Sequence, residues 1–579
     1  TVDTTVQLRN VTLKPTPTLP ALEALTGDLR IKGTTLSASK LVGRWLKQAV
    51  ELDLEVSEQH RARLSLKTGV DRGTLQRIAD AAGVARPDWL SRIKGKSRWA
   101  VEIRSEKPDE YSFKAFSDLA STSIAVPAPL GKPAKRGRPL EVTGSVNAQA
   151  VRVSARYGPI HIRGLVPYPE PGQAGYRVRL NGDAKPARRG DRQISGQLSL
   201  LDLDAWSAFL NPDTEATRAA IPSIDVDLVS LRFAGISFPQ TKVRMPRPLD
   251  DKPIEVQVEG PKLAGRVFPP DTKQTLRIDL DRLVVPELEG NQNIRTDPRT
   301  MPSFTFLVKQ LVYDDVDLGT LKLSASKAPS GLEFDTIYLI SPLFDLNGSG
   351  HWHENTGKQN TQLKLKIHAN ALRNLMLAAG VKKKVTEGGA TQVQANLSWP
   401  GTPGDVSFAS LTGEVAFQSG AGRILAVDAG TGARLFGLLN LRSLPQILSL
   451  DFGGFLDEGL GYERISGTFT LDDGNAYTNN LRLATKTADI NVAGRTGLVQ
   501  EDYDQLVNVT PRLSDSLPVA GAAFGGVGAG VGAALWLAEK ILNTKLLDKV
   551  ASFNYQVSGA WDNPKISRLD QQDDQKVDR

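Results

Sequence analysis

The feature that most constrains this chain is the strict alternation of apolar and polar residues in many short segments. Leu363-Lys-Leu365-Lys-Ile367 shows it most clearly, and the segments 224–228, 254–258 and 276–280 repeat it. Successive side chains of a strand point to opposite faces, so each segment has one apolar and one polar face. Strands of a parallel sheet that is covered on both faces would be continuously apolar instead. The pattern predicts a mainly β protein with an antiparallel sheet that has one dry and one wet face.

Helical patterns are few and short. We predict helices over 75–83, with Thr74 as the N-cap, and over 204–210, 371–379 and 433–439. None is placed like the crossover helix between parallel strands. So little helix cannot cover the dry face, which leaves a second sheet, a closed barrel, or an open trough that an apolar ligand such as lipid fills. The residues alone leave these alternatives open.

An internal repeat bears on the architecture. The segment from Ile337 to Gly350 matches the segment from Leu481 to Gly494, with 13 positions from the first apolar residue to the final glycine in both. Each copy has the pattern of a strand, a tight turn and a second strand. Repetition of one hairpin unit predicts an elongated, quasi-one-dimensional sheet rather than separate globules.

The composition excludes several classes of protein. Hydrophobic residues make up 40% of the 579 residues, which is enough to bury a core. The absence of cysteine excludes disulfide scaffolds, thiol nucleophiles and cysteine-ligated metals. The net charge of +7 is weak, and the basic clusters at 132–138, 185–192 and 382–384 are short. The first two contain proline and glycine and are interpreted as solvated loops, so no nucleic-acid partner is predicted.

No catalytic residue, cofactor or metal site is predicted. His351 and His353 lie on one face of a strand and could form half a metal site, but no cysteine or third histidine lies near to complete it. Gly430-Thr-Gly432 lacks the third glycine of a dinucleotide fingerprint, because position 435 is leucine. Phosphate-binding loops, serine-hydrolase elbows and zinc-protease motifs are absent from the sequence.

Scattered apolar and glycine positions carry a family resemblance. They lie in Gly422-Arg-Ile-Leu-Ala-Val-Asp428, in Ile465-Ser-Gly467-Thr-Phe-Thr-Leu471, in the closing segment 555–564, and upstream in 117–132 and 194–206. These segments resemble the AsmA-like superfamily of Gram-negative envelope proteins, and most closely its YhdP branch. The resemblance covers nearly the whole chain and is stronger after residue 400.

The resemblance implies a fold and a function. The fold would be a twisted antiparallel sheet curled into an open groove, the repeating β-groove of bridge-like lipid transfer proteins. The function would be non-enzymatic: phospholipid acyl chains would lie in the groove and move between the inner and outer membranes. It also implies a location in the periplasm, with an inner-membrane anchor in an N-terminal part that precedes this sequence.

The in-phase apolar residues are the candidate groove lining, with ordinary sheet core as the alternative for each. If they line a groove, charged replacements of Leu363, Leu365 and Ile367 would block transfer without unfolding the chain. The candidates are Leu321, Leu323, Leu363, Leu365, Ile367, Phe469, Leu471, Leu481, Leu483, Ile490 and Val492.

Three regions are predicted along the chain: β-groove repeats over 1–145 and 146–355, and an AsmA-like C-terminal region over 356–579. The last region contains an apolar helical segment, 517–542, whose first 22 residues carry no charge and are long enough to span a bilayer. It could plug the end of the groove, insert into a membrane as a tip, or span the membrane. The candidate membrane-contact residues are Leu517, Val519, Phe524, Leu535, Trp536, Leu537, Ile541 and Leu542.

Two other functions remain open at this stage. Exposed sheet edges could bind the strands of client proteins by β-augmentation, which would make the chain an assembly or scaffold factor for outer-membrane proteins. A β-rich carbohydrate-active enzyme is the third class, and it would need a cleft lined by carboxylates.

Overall fold

The computed structural model describes residues 3–13, 21–59, 61–81, 88–107, 110–207, 221–233, 235–249, 252–270, 275–286, 297–378, 384–425, 460–512 and 552–569. The protein is mainly β with few helices, which confirms the fold class that the alternation predicts. It divides into two compact units, Thr1–Phe268 and Pro269–Arg579. The division at 145/146 and 355/356 stays a prediction.

The first unit contains two helices, α1 (Arg72–Ala81) and α2 (Leu203–Ser207), among its described residues. Its strands are β1 (Asp3–Leu13), β2 (Leu22–Lys32), β3 (Thr35–Trp45), β4 (Gln48–Val56), β5 (Ala62–Asp71), β6 (Ile93–Lys107), β7 (Glu110–Ser117), β8 (Thr122–Ile124), β9 (Leu140–Asn147), β10 (Ala150–Tyr157), β11 (Ile160–Pro167), β12 (Gly175–Leu180), β13 (Arg192–Asp202), β14 (Ser223–Phe233), β15 (Ile236–Met245), β16 (Val256–Glu259) and β17 (Leu263–Phe268).

The second unit contains one helix, α3 (Leu372–Ala378), among its described residues. Its strands are β18 (Leu276–Val285), β19 (Phe304–Tyr313), β20 (Val316–Ala328), β21 (Gly331–Ile340), β22 (Asp345–Asn355), β23 (Lys358–Ala369), β24 (Thr386–Gly388), β25 (Thr391–Pro400), β26 (Thr412–Ser419), β27 (Gly422–Ile424), β28 (Leu460–Tyr462), β29 (Arg464–Asp472), β30 (Asn475–Ala484), β31 (Ala488–Gly497), β32 (Asp502–Pro511), β33 (Phe553–Ala560) and β34 (Lys565–Arg568).

Within each unit, strands that are neighbours along the chain are neighbours in the sheet. In the first unit β7 pairs with β9, while β8 pairs with the start of β6. In the second unit β23 pairs with β25 and β26 pairs with β29, because β24, β27 and β28 form a small sheet of their own. Sequential pairing of this kind is what a repeated hairpin unit predicts.

Three pairs depart from the antiparallel expectation: β12–β13, β13–β14 and β18–β19 are parallel. The connection 181–191 returns the chain to the start of β13, and it contains most of the basic cluster 185–192. Asp191 holds this connection in place, since its Oδ2 accepts hydrogen bonds from Arg177 Nε at 2.6 Å and from the Arg188 backbone N–H at 2.8 Å. Helix α2 lies in the β13–β14 crossover, which corrects the expectation that no helix occupies such a position.

The hairpin repeat is confirmed in detail. In the first copy the Ser341 backbone N–H donates to the Phe344 carbonyl at 3.0 Å, and in the second the Thr485 N–H donates to the Ala488 carbonyl at 2.9 Å. The register irregularity that precedes each turn also falls at equivalent positions, in β21 and in β30. The two copies therefore share both a turn and a bulge.

The helices lie close to their predicted positions, but the N-cap of α1 differs from the predicted one. Helix α1 begins at Arg72, and Asp71 caps it, because its Oδ1 accepts from the Thr74 backbone N–H at 2.8 Å. The predicted cap, Thr74, is wrong and lies inside the helix. Helices α2 and α3 lie where the sequence predicts them, and the predicted helix at 433–439 lies outside the described residues.

Candidate functional site

Strand register places the first group of candidate lining residues on one face of the second unit. With their partners on neighbouring strands they fall into three rows that cross the sheet from β20 or β21 to β26 or β29, and we call these the three apolar rows. The rows are Leu321, Leu339, Leu346, Ile367, Val393 and Phe417; then Leu323, Ile337, Gly348, Leu365, Ala395, Val415 and Phe469; then Phe334, Gly350, Leu363, Leu397, Gly413 and Leu471.

The remaining candidates continue this face into the next strands. Leu481 lies opposite Val492, and Leu483 lies opposite Ile490. Gly467 of β29 lies opposite Phe417 of the first row, and a Cβ built on it would lie 2.9 Å from the Leu481 Cα, so these candidates adjoin the three apolar rows. All candidate lining residues therefore share one face of the sheet.

Exposure divides this face into two parts. Leu321, Leu323, Leu363, Leu365 and Ile367 are half-buried, so solvent reaches them along β20 and β23. The later candidates, from β29 to β31, are buried, and Phe469 and Ile490 are 0% exposed. The later part of the face is filled by the protein's own side chains, whereas the earlier part is left partly open.

The buried part belongs to a large cluster with contributions from outside the sheet. Leu372 and Met376 of α3 lie in it, as do Ile424 and Tyr462 of the small sheet. Complete burial of a Leu or Ile side chain stabilises a fold by about 1.5–3 kcal/mol. The cluster explains why the same apolar pattern is closed to solvent here.

Glycines shape the partly open face. A Cβ built on Gly348 would lie 2.6 Å from Leu365 Cδ2, and one on Gly350 would lie 2.8 Å from Leu363 Cδ2. The two leucines therefore lean across positions that carry no side chain. As a result, the apolar face has no side chain projecting from Gly348 and Gly350 at the centre of β22.

A serine, a histidine and an aspartate come together in the first unit, a grouping that sequence reasoning missed. Ser154 Oγ lies 2.8 Å from His161 Nε2, and Asp183 Oδ1 lies 3.3 Å from His161 Nδ1. The Ala184 backbone N–H, however, donates to His161 Nδ1 at 3.0 Å. Nδ1 is therefore an acceptor, and the ring proton sits on Nε2 and points at Ser154. A general base would need the opposite tautomer, so this arrangement does not activate the serine.

His161 makes the first unit sensitive to mild acid. Its side chain is 2% exposed, and burial, with the positive charges of Arg156 and Arg163, lowers its pKa from the usual 6.5. Below that pH the unfolded chain takes up a proton that the folded chain resists. The contribution of this site to stability is therefore present above the usual imidazole pKa of 6.5 and is lost progressively as the pH falls below it.

We expect the urea midpoint to fall between pH 7.5 and pH 5.5, and the fall to be smaller in His161→Asn. Asparagine keeps an acceptor for the Ala184 N–H but does not titrate in this range. His368→Asn, at an exposed position, is the matched control and should keep the wild-type pH slope. An unchanged slope in His161→Asn would show that the buried imidazole is not the cause.

Lys132 corrects the interpretation of its basic cluster as a solvated loop. The residue is only 5% exposed, and its Nζ donates to the backbone carbonyl of Leu119 at 2.7 Å and to that of Thr122. Burial lowers its pKa. Arg138, in the same cluster, lies over the Tyr157 ring at 4.9 Å from the centroid and donates to the Pro129 carbonyl. Lys132 and Arg138 therefore hold the loop together, whereas Lys135 and Arg136 between them are exposed, as the interpretation as a solvated loop predicts.

The two neighbouring histidines form a stacked pair. The rings of His351 and His353 lie 4.2 Å apart between centroids, and His353 Nε2 lies 2.7 Å from Glu333 Oε1. Across the described part of the chain, no cluster of three or more His, Cys, Asp or Glu residues could hold a metal ion.

The predicted membrane-contact residues, Leu517 to Leu542, lie outside the described residues and stay predictions. Within the described ranges, no helix is both long enough and apolar enough to cross a bilayer.

The described fold and face define a class: a mainly β protein of sequential hairpins, with an apolar face that is sealed in one part and partly open in another. The YhdP protein family matches residues 1–566, and the chain belongs to this family. A curated relative is the intermembrane phospholipid transporter YhdP of Escherichia coli (strain K12), 24% identical over 615 aligned positions that cover 97% of this chain and 45% of the relative. The chain thus spans less than half of that relative's length.

Proposed function

We propose that this chain is a non-enzymatic conduit that holds phospholipid acyl chains on the open part of the three apolar rows and supports lipid transport between the inner and outer membranes. The observation that carries the proposal is the half-burial of five apolar side chains that lie in register on β20 and β23, with β21 and β22 between them: Leu321, Leu323, Leu363, Leu365 and Ile367. The named activity of the E. coli relative supports it. Phe469 and the later candidates would form the closed wall beside the lipid path.

The binding chemistry follows from the apolar rows. Each methylene that leaves water for an apolar surface contributes about 0.8 kcal/mol, so a long acyl chain is held without any headgroup contact. Rows of similar side chains at the strand spacing of about 4.8 Å give similar affinity at successive positions, and lipid would not be trapped at one of them. Headgroups would remain in water.

The cellular setting is part of the proposal. The protein would act in the periplasm, attached to the inner membrane in its full-length form and reaching toward the outer membrane. Family membership and the name of the E. coli relative support this setting. Candidate partners are the two membranes and other envelope proteins.

Native mass spectrometry of the protein purified from a Gram-negative host tests the proposal. We expect mass additions that correspond to phospholipid and that disappear after delipidation. Protein that is free of lipid but carries bound peptide would contradict the conduit and favour the scaffold function, in which sheet edges bind client strands.

The segment 517–542 is proposed to contact lipid through its most apolar residues, among them Leu535 and Trp536. We expect its deletion to lower binding to phospholipid liposomes, measured by flotation, at least several-fold. Unchanged flotation and unchanged transfer of a fluorescent phospholipid between vesicles would contradict membrane contact by this segment. Wild-type thermal unfolding of the deletion variant is the necessary control.

A further inference from the structure

The wet face of the second unit carries a concavity that the lipid path does not use. It measures about 580 Å³ and lies across β22, β23, β25 and β26. Two cross-strand rows form its walls, and the backbone between them, at Gly348, Leu365 and Ala395, forms its floor. We call it the amide trough. One wall is Asn347, Lys366, Gln394 and Ala416, and the other is Ser349, Lys364, Asn396 and Glu414.

The amide trough continues sideways into a second concavity of about 250 Å³. Lys366 and Gln394 also line this one, together with Asp345, His368 and Gln392. Both concavities lie on the face opposite to the three apolar rows, because their side chains alternate with Leu363, Leu365 and Ile367 along β23. A ligand here would be separated from an acyl chain by the thickness of the sheet.

The walls combine neutral hydrogen-bonding groups with charged ones. Three of the eight wall residues carry side-chain amides and Ser349 carries a hydroxyl, and these groups offer both donors and acceptors. Lys364 and Lys366 lie two residues apart on the same face of β23, one in each wall, and both are exposed. Glu414 lies at one end of the Lys364 wall. The walls thus offer many neutral hydrogen-bonding groups and a small excess of positive charge.

An aromatic side chain extends the Lys366 wall. Tyr338 lies opposite Asn347 on the neighbouring strand β21 and is half-buried on the same face. An aromatic ring beside amides gives a ligand one apolar surface and several directional hydrogen bonds. Sugar rings have this combination of one apolar face and a rim of hydroxyls.

We propose that the amide trough binds a linear oligosaccharide of N-acetylated amino sugars that carry carboxylate groups. The chain would cross the strands, and each strand, about 4.8 Å from the next, would present a new pair of wall residues to the next sugar. Lys364 and Lys366 would bind the carboxylates. Asn347, Gln394 and Asn396 would bind hydroxyl and acetamido groups, and Tyr338 would stack on a terminal ring.

An extended peptide fits this surface less well. Peptides that add to a sheet use the free backbone groups of an edge strand. Strands β22, β23, β25 and β26 are each paired on both sides, so their backbone groups are already used by their neighbours. Only side chains are available in the trough, which favours a ligand that is rich in hydroxyl groups.

Isothermal titration of the full chain with a tetrasaccharide of alternating N-acetylglucosamine and N-acetylmuramic acid tests the proposal. We expect measurable binding, a loss of at least tenfold in affinity in the variant Lys364→Ala/Lys366→Ala, and weaker binding of chitotetraose, which lacks carboxylates. Lys358→Ala, at the exposed turn between β22 and β23, is the matched control and should bind as the wild type does. Thermal unfolding checks that each variant is folded.

Three outcomes would overturn the proposal: no binding by the folded wild-type chain, an equal loss in Lys358→Ala, or binding of a glutamate oligopeptide as tight as that of the tetrasaccharide. The first two would leave no role for the trough, and the third would indicate charge attraction alone. None of them bears on lipid binding. Copurification of phospholipid with Lys364→Ala/Lys366→Ala should match that of the wild type. The proposal of lipid transport and the proposal of oligosaccharide binding can therefore be contradicted separately.

Discussion

Replacing both Leu365 and Ile367 with glutamate is expected to abolish copurification of phospholipid while the chain stays folded. Both side chains lie two residues apart on β23, half-buried in two of the three apolar rows. Each loses its apolar contact with lipid and gains a charge that an acyl chain cannot solvate, so the expected loss of affinity is on the order of 100-fold or more. Native mass spectrometry gives the occupancy, and a urea titration gives the stability.

Leu363 is left unchanged because it packs against two buried clusters, one formed by β20, β21 and β22 and the large one that contains Phe469 and Ile490. Gln392→Glu/Gln394→Glu is the matched control: it adds two carboxylates at the same spacing on the opposite face of β25, the next strand. The control should keep its lipid. If the Leu365/Ile367 variant is folded and binds phospholipid as the wild type does, these rows are not the lipid path.

Ile490→Asp is expected to unfold the second unit rather than to block lipid binding selectively. Ile490 is 0% exposed and lies between Leu483 and Val509 on the neighbouring strands. An unpaired carboxylate there costs at least ~4 kcal/mol, a large part of the stability of a typical domain. The measurement is the urea midpoint, with the soluble fraction after expression as a second readout.

Asn491→Asp gives the matched control for this core variant. It adds the same charge one residue later, on the exposed face of β31, and should shift the free energy of unfolding by no more than about 0.5 kcal/mol. A wild-type urea midpoint for Ile490→Asp would mean that the buried part of the face opens readily. Phe469 and the later candidates would then again be candidates for groove lining.

The alternation of apolar residues was enough to predict the strands and their faces. Leu363, Leu365 and Ile367 share a face because side chains alternate in any strand, and Leu483 meets Ile490 because the repeat predicts a hairpin there. Neither inference needs a contact between distant parts of the chain. Local sequence is therefore informative about both.

Burial along that face could not be predicted in the same way. Leu365 and Ile490 lie in segments with the same alternation, yet the side chain of Leu365 is half-buried and that of Ile490 is completely buried. Ile490 belongs to a large cluster that Met376, Ile424 and Tyr462 join from a helix and a small sheet outside the main ladder. Their positions depend on tertiary packing and carry no period-two signal.

Polar contacts between distant residues were missed for the same reason. Lys132 lies in a cluster that contains proline and glycine, a composition typical of solvated loops. Its side chain is nevertheless buried, and its ammonium group donates to two backbone carbonyls. The Asp183 and Ala184 partners of His161 come from the loop that follows the next strand, β12. Composition describes the average loop and does not record which carbonyl or amide will lie nearby.

Site-specific photocrosslinking along β23 tests the central claim most directly. A photoreactive amino acid is placed in turn at each position from 362 to 367, the protein is irradiated as purified, and crosslinked phospholipid is measured by mass spectrometry. The account predicts crosslinks at positions 363, 365 and 367 and none at 362, 364 and 366, in the period of the strand. Equal crosslinking at both sets of positions, or lipid on the even-numbered positions alone, would contradict a lipid path on the apolar face.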